Sequence, residues 1–194
     1  AVGVEPSLFG EEPAATAEVN LEATAFSPAD LTALRAAEEI AVGAVFSGTA
    51  PFVQIDMLAL SYGTERRVLR ADASEFFAVC AVLAERPVVL WNAKRYAQAG
   101  LSVGANIFDL ELADYLLRPE ENKRDLARAA FAHSEDFPAV PEEVTQEQRA
   151  VHEALTAAHL AKPLRAALDG AGLMPLYREI ELPLVPVLAA MEQT

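Results

Sequence analysis

Three apolar runs separated by turn residues dominate the first half of the chain. Residues 40–46, 52–62 and 67–70 have the composition of β-strands. Tyr62-Gly63-Thr64 supplies a turn between the second and third runs, which predicts an antiparallel hairpin. The short, wholly apolar run at 87–90 is typical of a buried strand. The pattern therefore predicts three antiparallel strands, followed by a helix and a further strand.

Helical patterns fill most of the remaining sequence. The helix after the hairpin is expected to bury Phe76, Phe77, Cys80 and Leu83. Further helices are predicted over 93–99 and 110–117, and a long one is predicted from about 146 to about 169. Capping residues predict four helix starts: Ser27 as an N-cap before Pro28, Asp72 with Glu75 as a capping box, Asp125 as an N-cap, and Thr145 with Gln148 as a second capping box.

The two ends of the chain differ from this central part. Residues 1–26 mix Ala, Glu, Pro and Gly without a helical or strand period, which predicts a linker or N-terminal arm with one extended piece near 17–21. Residues 175–194 carry an apolar stripe at helical spacing that continues to the last residues without a cap. We therefore expect an arm (1–26), a folded domain (27–174) and the start of a helix that continues beyond the chain (175–194).

Prolines modify the expected C-terminal helix. Pro175 is compatible with a first helical turn, where the missing N–H has no partner to lose. Pro183 and Pro186 are expected to bend or interrupt the helix in its middle. Its apolar stripe comprises Leu176, Ile180, Leu184, Val187, Leu188 and Met191.

Charge and cysteine content limit the functions that this chain is expected to have. The formal net charge is −14 and the sequence pI is near 4.6, which argues against tight binding of nucleic acid by this piece alone. The single cysteine, Cys80, excludes an intrachain disulfide and favours a reducing compartment. Because no apolar run is long enough to span a bilayer, we expect a cytoplasmic protein without membrane contact.

Four segments together carry a family resemblance. They are VVLWNAKRYAQAGL at 88–101, FDLELADYLLRP at 108–119, DLA at 125–127 and PLYREIELPLVPVLAAMEQT at 175–194. In this order they resemble the exonuclease-like domain of bacterial family A DNA polymerases, in which the last segment leads into the polymerase thumb. The abundance of Ala and Arg is typical of a GC-rich coding sequence.

The resemblance implies a fold and a set of partners. The fold would be the ribonuclease-H-like α/β arrangement of DnaQ-type exonucleases, a mixed sheet that starts with a three-stranded antiparallel hairpin and is flanked by helices. The partners would be the polymerase and 5′-nuclease domains of the same chain. DNA would be bound through the parent protein, with weak or no binding by this domain.

Active members of the family hydrolyse the 3′-terminal phosphodiester with two divalent metals held by carboxylates. The resemblance implies an Asp-x-Glu pair on the first strand, an Asp after the Asn of the fourth strand, and a Tyr and an Asp four residues apart on the late helix. This chain departs from that pattern at every site, because the corresponding positions are Gly43 and Val45, Tyr96, and Ala150 and Ala154.

These departures predict a catalytically inactive domain without metal or cofactor, acting as a structural spacer and support for the polymerase in DNA replication and repair. Shifting the late helix by one residue brings Glu153 forward, but one carboxylate cannot hold two metals. We expect Tyr96, or a neighbour such as Arg95, to occupy part of the former metal space. Two alternatives stay open: an active two-metal 3′–5′ proofreading exonuclease whose ligands are misaligned, and an unrelated acidic interaction module.

Two further groups of side chains are candidate metal ligands. His152 and His159 lie seven residues apart and could face the same way, although surface histidines on an Ala-rich helix are the commoner explanation. Asp109, Glu111 and Asp114 form an acidic helix start, which the helix dipole explains without a ligand.

Four single residues have weaker claims to a function. Cys80 fits core packing better than a nucleophile, and Asp56 fits solvent exposure better than a stray metal ligand. Trp91 and Tyr96 could stack a nucleotide base, although a buried Trp at a strand end is the more common arrangement.

Overall fold

Six strands form one mixed sheet in the order β1-β4-β3-β2-β5-β6. The structure, a computed structural model, describes residues 19–134 and 143–193. Within these residues the strands are β1 (Thr24–Ala25), β2 (Ile40–Ser47), β3 (Gln54–Tyr62), β4 (Glu65–Arg70), β5 (Val88–Leu90) and β6 (Ile107–Asp109).

Helices surround this sheet. The long helix α6 lies across β2 and β3, and the last helix, α8, packs against α3. The helices are α1 (Asp30–Ala36), α2 (Phe76–Glu85), α3 (Ala93–Gln98), α4 (Leu110–Leu117), α5 (Leu126–His133), α6 (Gln146–Gly170), α7 (Met174–Leu176) and α8 (Leu182–Met191), with a π-helical segment at Tyr177–Glu181. Among the described residues, none of these helices has the length and apolarity needed to cross a bilayer.

The predicted hairpin is confirmed. β2 pairs antiparallel with β3, and β3 pairs antiparallel with β4 through a turn in which Gly63 has a positive φ of 56°. β5 then pairs parallel with β2, which requires the crossover that α2 provides. The predicted ribonuclease-H-like mixed sheet flanked by helices is therefore present.

The sixth strand was missed by the sequence analysis. Ile107–Asp109 is buried and pairs parallel with β5, and α4 begins at the very next residue. A three-residue strand that runs directly into a helix has too few positions to display a strand period, so only the helical pattern of the following residues was recognised.

The N-terminal edge also differs from the expectation. The short extended piece predicted near 17–21 lies instead at Thr24–Ala25, where it pairs parallel with β4, and Phe26 is buried in the core. Residues 24–26 of the predicted arm therefore form part of the sheet edge. Residues 1–18 lie outside the described residues.

Two of the predicted helix caps are confirmed. The Asp125 side chain accepts a hydrogen bond from the backbone N–H of Arg128 at 2.8 Å. Thr145 and Gln148 form a reciprocal capping box at the start of α6. These caps depend only on residues within three positions of each other, which is why the sequence predicts them.

The other two predicted caps are wrong. Ser27 does not cap α1: its N–H and hydroxyl both donate to Asp30 Oδ2 at 2.8 Å, and Asp30 also accepts from Arg67 of β4. Asp72 pairs with Arg70 instead of capping α2, which begins at Phe76 without a side-chain cap. In both places, the side chain binds another residue close in sequence, Asp30 for Ser27 and Arg70 for Asp72.

The buried face of α2 is rotated from the predicted one. Val79, Val82 and Leu83 are buried, whereas Phe77 is 83% exposed and Cys80 is half-buried against the core. The spacing 79, 82 and 83 is that of one helical face, so Phe77 cannot share it.

The C-terminal segment is helical with one irregularity. Pro175 lies in the first turn of α7, as predicted, and the chain stays helical to Met191. The irregularity precedes Pro183, as the π-helical segment Tyr177–Glu181. Pro183 lies in the first turn of α8, where its missing N–H is tolerated, and Pro186 lies inside α8 without ending it, so the expected interruption at Pro186 is wrong.

Candidate functional site

The predicted former ligand positions on β2 and α6 lie against each other. Gly43 faces α6 so closely that a Cβ atom at this position would lie 2.0 Å from the Ala150 carbonyl oxygen and 2.9 Å from the Ala154 nitrogen. Ala150 and Ala154 are both buried. Strand and helix therefore meet backbone to backbone, and no side chain of any kind fits at residue 43 in this arrangement.

Val45 continues this contact along β2. It is partly buried and packs against a small cluster formed by Ala59, Ala150, Val151 and Ala154. The pairing of β2 with β3 shifts between Val45 and Phe46, where an irregularity interrupts the ladder. At Val45, β2 is thus joined to β3 and α6 by apolar packing.

Tyr96 lies behind the contact and is fully buried. Its ring meets that of Phe46 edge-on, with 4.9 Å between centroids, and its hydroxyl donates to Glu153 Oε1 at 3.4 Å. Burial, with the nearby Glu153 carboxyl, raises the pKa of Tyr96 well above its ordinary value. Because no part of its ring faces solvent, the suggestion that Tyr96 stacks a nucleotide base is wrong.

Arg95 covers the outer side of the same aromatic pair. Its guanidinium carbon lies 4.6 Å from the centroid of the Phe46 ring, a cation–π contact. Tyr96 is thus buried, whereas Arg95 is exposed to solvent. Both are neighbours of the space that the family resemblance assigns to metal ions.

Glu153 is the one carboxyl group that lines the space between these elements. Burial raises its pKa to about 8 from the ordinary value of 4.5, although the Tyr96 hydroxyl and the charge of Arg95 favour the ionised form. The carboxyl is therefore mostly protonated at neutral pH. It follows Ala150 by three residues and directly precedes Ala154, so it lines the space beside them and is not among the atoms nearest to Gly43.

An open cleft of about 370 Å³ remains beside the closed contact. β2, α3 and the first two turns of α6 form its walls, and its polar and aromatic lining comprises Phe46, Trp91, Asn92, Arg95, Gln146, Arg149 and Glu153. Within residues 19–134 and 143–193, no cluster of three His, Cys, Asp or Glu side chains could hold a metal ion. We refer to this space as the α3–α6 cleft.

Sequence reasoning did not single out Arg149 or Gln146. Gln146, Arg149, Ala150 and Glu153 follow the spacing of one face of α6, counted from the capping box at Thr145. That spacing was available in the sequence. What the sequence did not give is the orientation of this face toward β2 and α3.

The three acidic residues at the start of α4 have different structural roles. The Asp109 carboxylate is buried and accepts hydrogen bonds from the backbone N–H groups of Asn92, Ala93 and Glu111 at 2.9–3.1 Å. It therefore ties the starts of α3 and α4 together. The Asp109 N–H donates to the Tyr177 hydroxyl at 2.7 Å, which attaches the π-helical segment to the same junction.

The other two acidic residues point elsewhere. Asp114 is fully buried, and its Oδ1 lies 2.8 Å from Arg118 Nε and 2.9 Å from His133 Nε2, which links α4 to α5. Glu111 is half-buried, and burial next to Asp109 raises its pKa to about 7. The three carboxylates therefore do not converge on one site, in agreement with the helix-start interpretation.

The remaining candidates are also separated. His152 is buried and His159 is exposed, so the two histidines do not face the same way. Asp56 is exposed and accepts a hydrogen bond from the Ser47 hydroxyl at 2.8 Å, as expected for a surface residue. Burial raises the pKa of the Cys80 thiol, which fits its predicted packing role. Trp91 is half-buried and lines the α3–α6 cleft.

Comparison with solved structures identifies the fold. The chain is similar to the POL domain of Pol1 from M. smegmatis in complex with DNA primer-template and dNTP, with a TM-score of 0.72 and 22% identity over 88% of this chain. It covers only 31% of that polymerase chain. No family model and no curated protein sequence matches the chain.

Two exonuclease structures share the same architecture. Brucella melitensis NrnC matches with a TM-score of 0.63 and 15% identity over 80% of this chain and 84% of that one. Escherichia coli RNase D, an exoribonuclease involved in structured RNA processing, matches with a TM-score of 0.66 and 13% identity over 88% of this chain and 50% of that one. At these identities the similarity establishes the ribonuclease-H-like exonuclease fold.

Proposed function

We propose that this chain is a catalytically inactive 3′–5′ exonuclease-like domain of a bacterial family A DNA polymerase, DNA polymerase I. In this role it spaces and supports the polymerase and 5′-nuclease domains of the same polypeptide during DNA replication and repair. The domain itself extends over about residues 27–174, and residues 175–194 begin the helix that connects it to the polymerase. DNA is bound by the parent protein, and this domain contributes little to that binding.

The contact at Gly43 carries the proposal. Two-metal phosphodiester hydrolysis needs several carboxylate oxygens around a pair of ions about 3.5–4 Å apart. Here the backbone of α6 occupies the place of a side chain at residue 43, at 2.0 Å from a Cβ position. A carboxylate could be restored there only if α6 moved away from β2.

The chemistry of the neighbouring groups points in the same direction. Val45, Ala150 and Ala154 are packed together as an apolar cluster, which offers no ligand for a hard cation. The one carboxyl group in the α3–α6 cleft, Glu153, is mostly protonated at neutral pH. A protonated carboxyl is a poor ligand for Mg²⁺, because binding the ion requires the ionised form.

The similarity to the M. smegmatis polymerase structure supports the part of the proposal that concerns the parent protein. The matched region includes most of this chain but less than a third of that polymerase chain. That ratio is what a domain within a larger polymerase chain would give. The motif order at 88–127 and the helical segment at 175–194 support the same assignment.

A nuclease assay tests the proposal. The chain is incubated with 5′-labelled single-stranded DNA in Mg²⁺ or Mn²⁺, with an active proofreading exonuclease as the positive control. We expect no shortening from the 3′ end, and no binding of two Mn²⁺ ions in calorimetry. Metal-dependent shortening that Glu153→Gln abolishes would support the alternative of an active exonuclease with misaligned ligands.

A further inference from the structure

The α3–α6 cleft has the opposite charge from the rest of the protein. The whole chain carries a net charge of −14, whereas Arg95 and Arg149 are the charged groups at this cleft apart from the mostly protonated Glu153. The part of β2 that lines the cleft contributes Ala44, Val45 and Phe46, and none of these is charged. At neutral pH the cleft is therefore a local positive site on an acidic surface.

The two guanidinium groups are available to a ligand. Both Arg95 and Arg149 are exposed, and neither side chain forms an ion pair or hydrogen bond with another residue in the part of the chain that the structure describes. The cation–π contact of Arg95 with Phe46 does not use its N–H donors. Guanidinium groups held in this way are suited to bind the oxygens of a phosphate group.

Uncharged donors and a flat aromatic surface complete the lining. Gln146 and Asn92 contribute amide groups, and the half-buried Trp91 contributes an indole ring. A volume of about 370 Å³ accommodates a small phosphorylated molecule, in the range of known ligand pockets. A divalent cation, in contrast, would meet two positive charges here.

We propose that the α3–α6 cleft binds a small phosphate monoester without a metal ion, through Arg95 and Arg149. The inference rests on the proposed function, because it takes the cleft to hold no catalytic ions. The cleft would then bind the kind of group that a nuclease site binds through metals, but through guanidinium groups and without any bond being broken.

The chain offers a direct reporter for this site, because Trp91 is its only tryptophan. Trp91 fluorescence is followed during titration with inorganic phosphate, ribose 5-phosphate and a deoxynucleoside 5′-monophosphate in EDTA, with calorimetry in parallel. We expect saturable binding in both measurements. A gain in affinity for the nucleotide over the sugar phosphate would mean that a base ring stacks at Trp91, and equal affinities would mean that the phosphate alone is recognised.

Matched variants identify the groups that bind. Arg95→Gln and Arg149→Gln together should weaken binding about tenfold or more, since each charge-assisted hydrogen bond contributes more than a neutral one. Arg70→Gln, at an exposed arginine on β4 outside the cleft, is the control and should leave binding unchanged. Circular dichroism spectra of all variants check that they are folded.

The pH dependence provides a second readout. Groups that face Glu153 are Tyr96 and Arg95 from α3 and Arg149 from its own helix. Ionisation of Glu153 adds a negative charge to the cleft, so affinity should fall as pH rises through about 8, and Glu153→Gln should remove this fall.

Two results would overturn the inference: no fluorescence change and no heat with any of the three ligands, or equal binding by the double arginine variant. The nuclease assay is independent of this experiment, because it is run with metal and measures DNA shortening. If the nuclease assay shows metal-dependent DNA shortening while the cleft still binds phosphate in EDTA, the inactive-domain proposal is wrong and phosphate binding by the cleft stands.

Discussion

The helices α6 and α8 contact their neighbours in opposite ways. α6 meets β2 through Gly43, Ala150 and Ala154, so that backbones touch and no space for a side chain is left. α8 packs against α3, and its buried residues include the larger side chains Leu182 and Val185 besides Ala189. The α6 contact leaves no space at Gly43, and the α8 contact attaches a helix whose other face stays open.

The outer faces of the two helices differ as well. Near its start, α6 presents polar groups to the α3–α6 cleft, among them Arg149 and Glu153. The outer face of α8 remains apolar, with Leu184, Val187, Leu188 and Met191 between 44% and 67% exposed. Because so many exposed apolar side chains on one helix are unusual for a monomer surface, this face has the character of a contact surface.

Polar bonds hold α8 in place despite its open face. Glu192, which follows α8, pairs with Lys94 at 3.0 Å, and the Gln193 side chain donates to the Gln98 carbonyl at 2.7 Å. The end of α8 is thus attached to α3 by the side chains of both segments. Close packing and apolar exposure therefore occur in one small domain, and contacts within the domain account only for the close packing.

The largest expected effect is at the closed contact. Gly43→Ala places a methyl group 2.0 Å from the Ala150 carbonyl oxygen, and backbone atoms cannot turn aside as a flexible side chain can. We expect the free energy of unfolding to fall by about 3 kcal/mol or more, at the upper end of overpacking effects. Urea denaturation followed by circular dichroism measures it.

Gly170→Ala is the matched control for this substitution. Gly170 ends the same helix, α6, and a Cβ atom there would meet no atom within 4 Å. We expect a change of less than about 1 kcal/mol, since Ala is at least as favourable as Gly in a helix. Equal effects at residues 43 and 170 would mean that α6 does not contact β2 at Gly43.

The second prediction compares the two faces of α8. Val185 is 7% exposed and Val187 is 52% exposed, so the same substitution can be made on the buried and the open side. Val185→Ala should cost about 2 kcal/mol from lost burial and the cavity left behind, and Val187→Ala less than about 0.5 kcal/mol. A reversed order in denaturant unfolding would mean that α8 is rotated about its axis.

How much of this could be predicted depends on the range of the interactions. The strands of the hairpin, the cap at Asp125 and the capping box at Thr145 follow from neighbouring residues, and all three were predicted. The caps assigned to Ser27 and Asp72 failed although the groups that bind these side chains are close in sequence, Asp30 for Ser27 and Arg70 for Asp72. A local pattern offers several partners to one polar side chain and does not show which of them the fold selects.

The site illustrates the same limit. Small residues at positions 43, 150 and 154 were recognised as departures from the ligand pattern of a family. That α6 closes onto β2 at backbone distance is a property of the packed helix and could not be deduced from residue types. Nor could the sequence place Arg149 beside Arg95, because the two are 54 positions apart (149 − 95) and belong to different helices.

The third prediction concerns pH and the polar face of α6. Folding raises the pKa of Glu153 from 4.5 to about 8, so the folded protein holds a proton that the unfolded chain releases above pH 4.5. Its contribution to stability is therefore complete below about pH 4.5 and is lost as the pH rises to about 8. The slope from this one group cannot exceed about 1.4 kcal/mol per pH unit.

Single substitutions separate the two raised carboxyl groups. Folding also raises the pKa of Glu111, but only to about 7, so its contribution to stability is lost by about pH 7. Unfolding free energies measured from pH 5 to pH 9 should lose their slope between pH 7 and 8 in Glu153→Gln and keep it in Glu111→Gln. An unchanged slope in both variants would indicate that neither carboxyl group is desolvated.

The smallest effect on stability is expected on the open face of α8. Replacing Leu184, Val187, Leu188 and Met191 by Gln should change the free energy of unfolding by no more than about 0.5 kcal/mol for each residue, because each is already about half exposed or more. The unsubstituted chain should nevertheless self-associate at high concentration, since covering these side chains removes apolar surface from water. The net charge of −14 opposes this association, so added salt should strengthen it.

Sedimentation velocity at low and high salt measures the association, and hydrogen exchange of the α8 amides distinguishes it from fraying beyond Pro183. A monodisperse chain with unprotected α8 amides would mean that the helix frays, whereas protected amides with association lost only in the Gln variant would identify the apolar stripe as the contact surface.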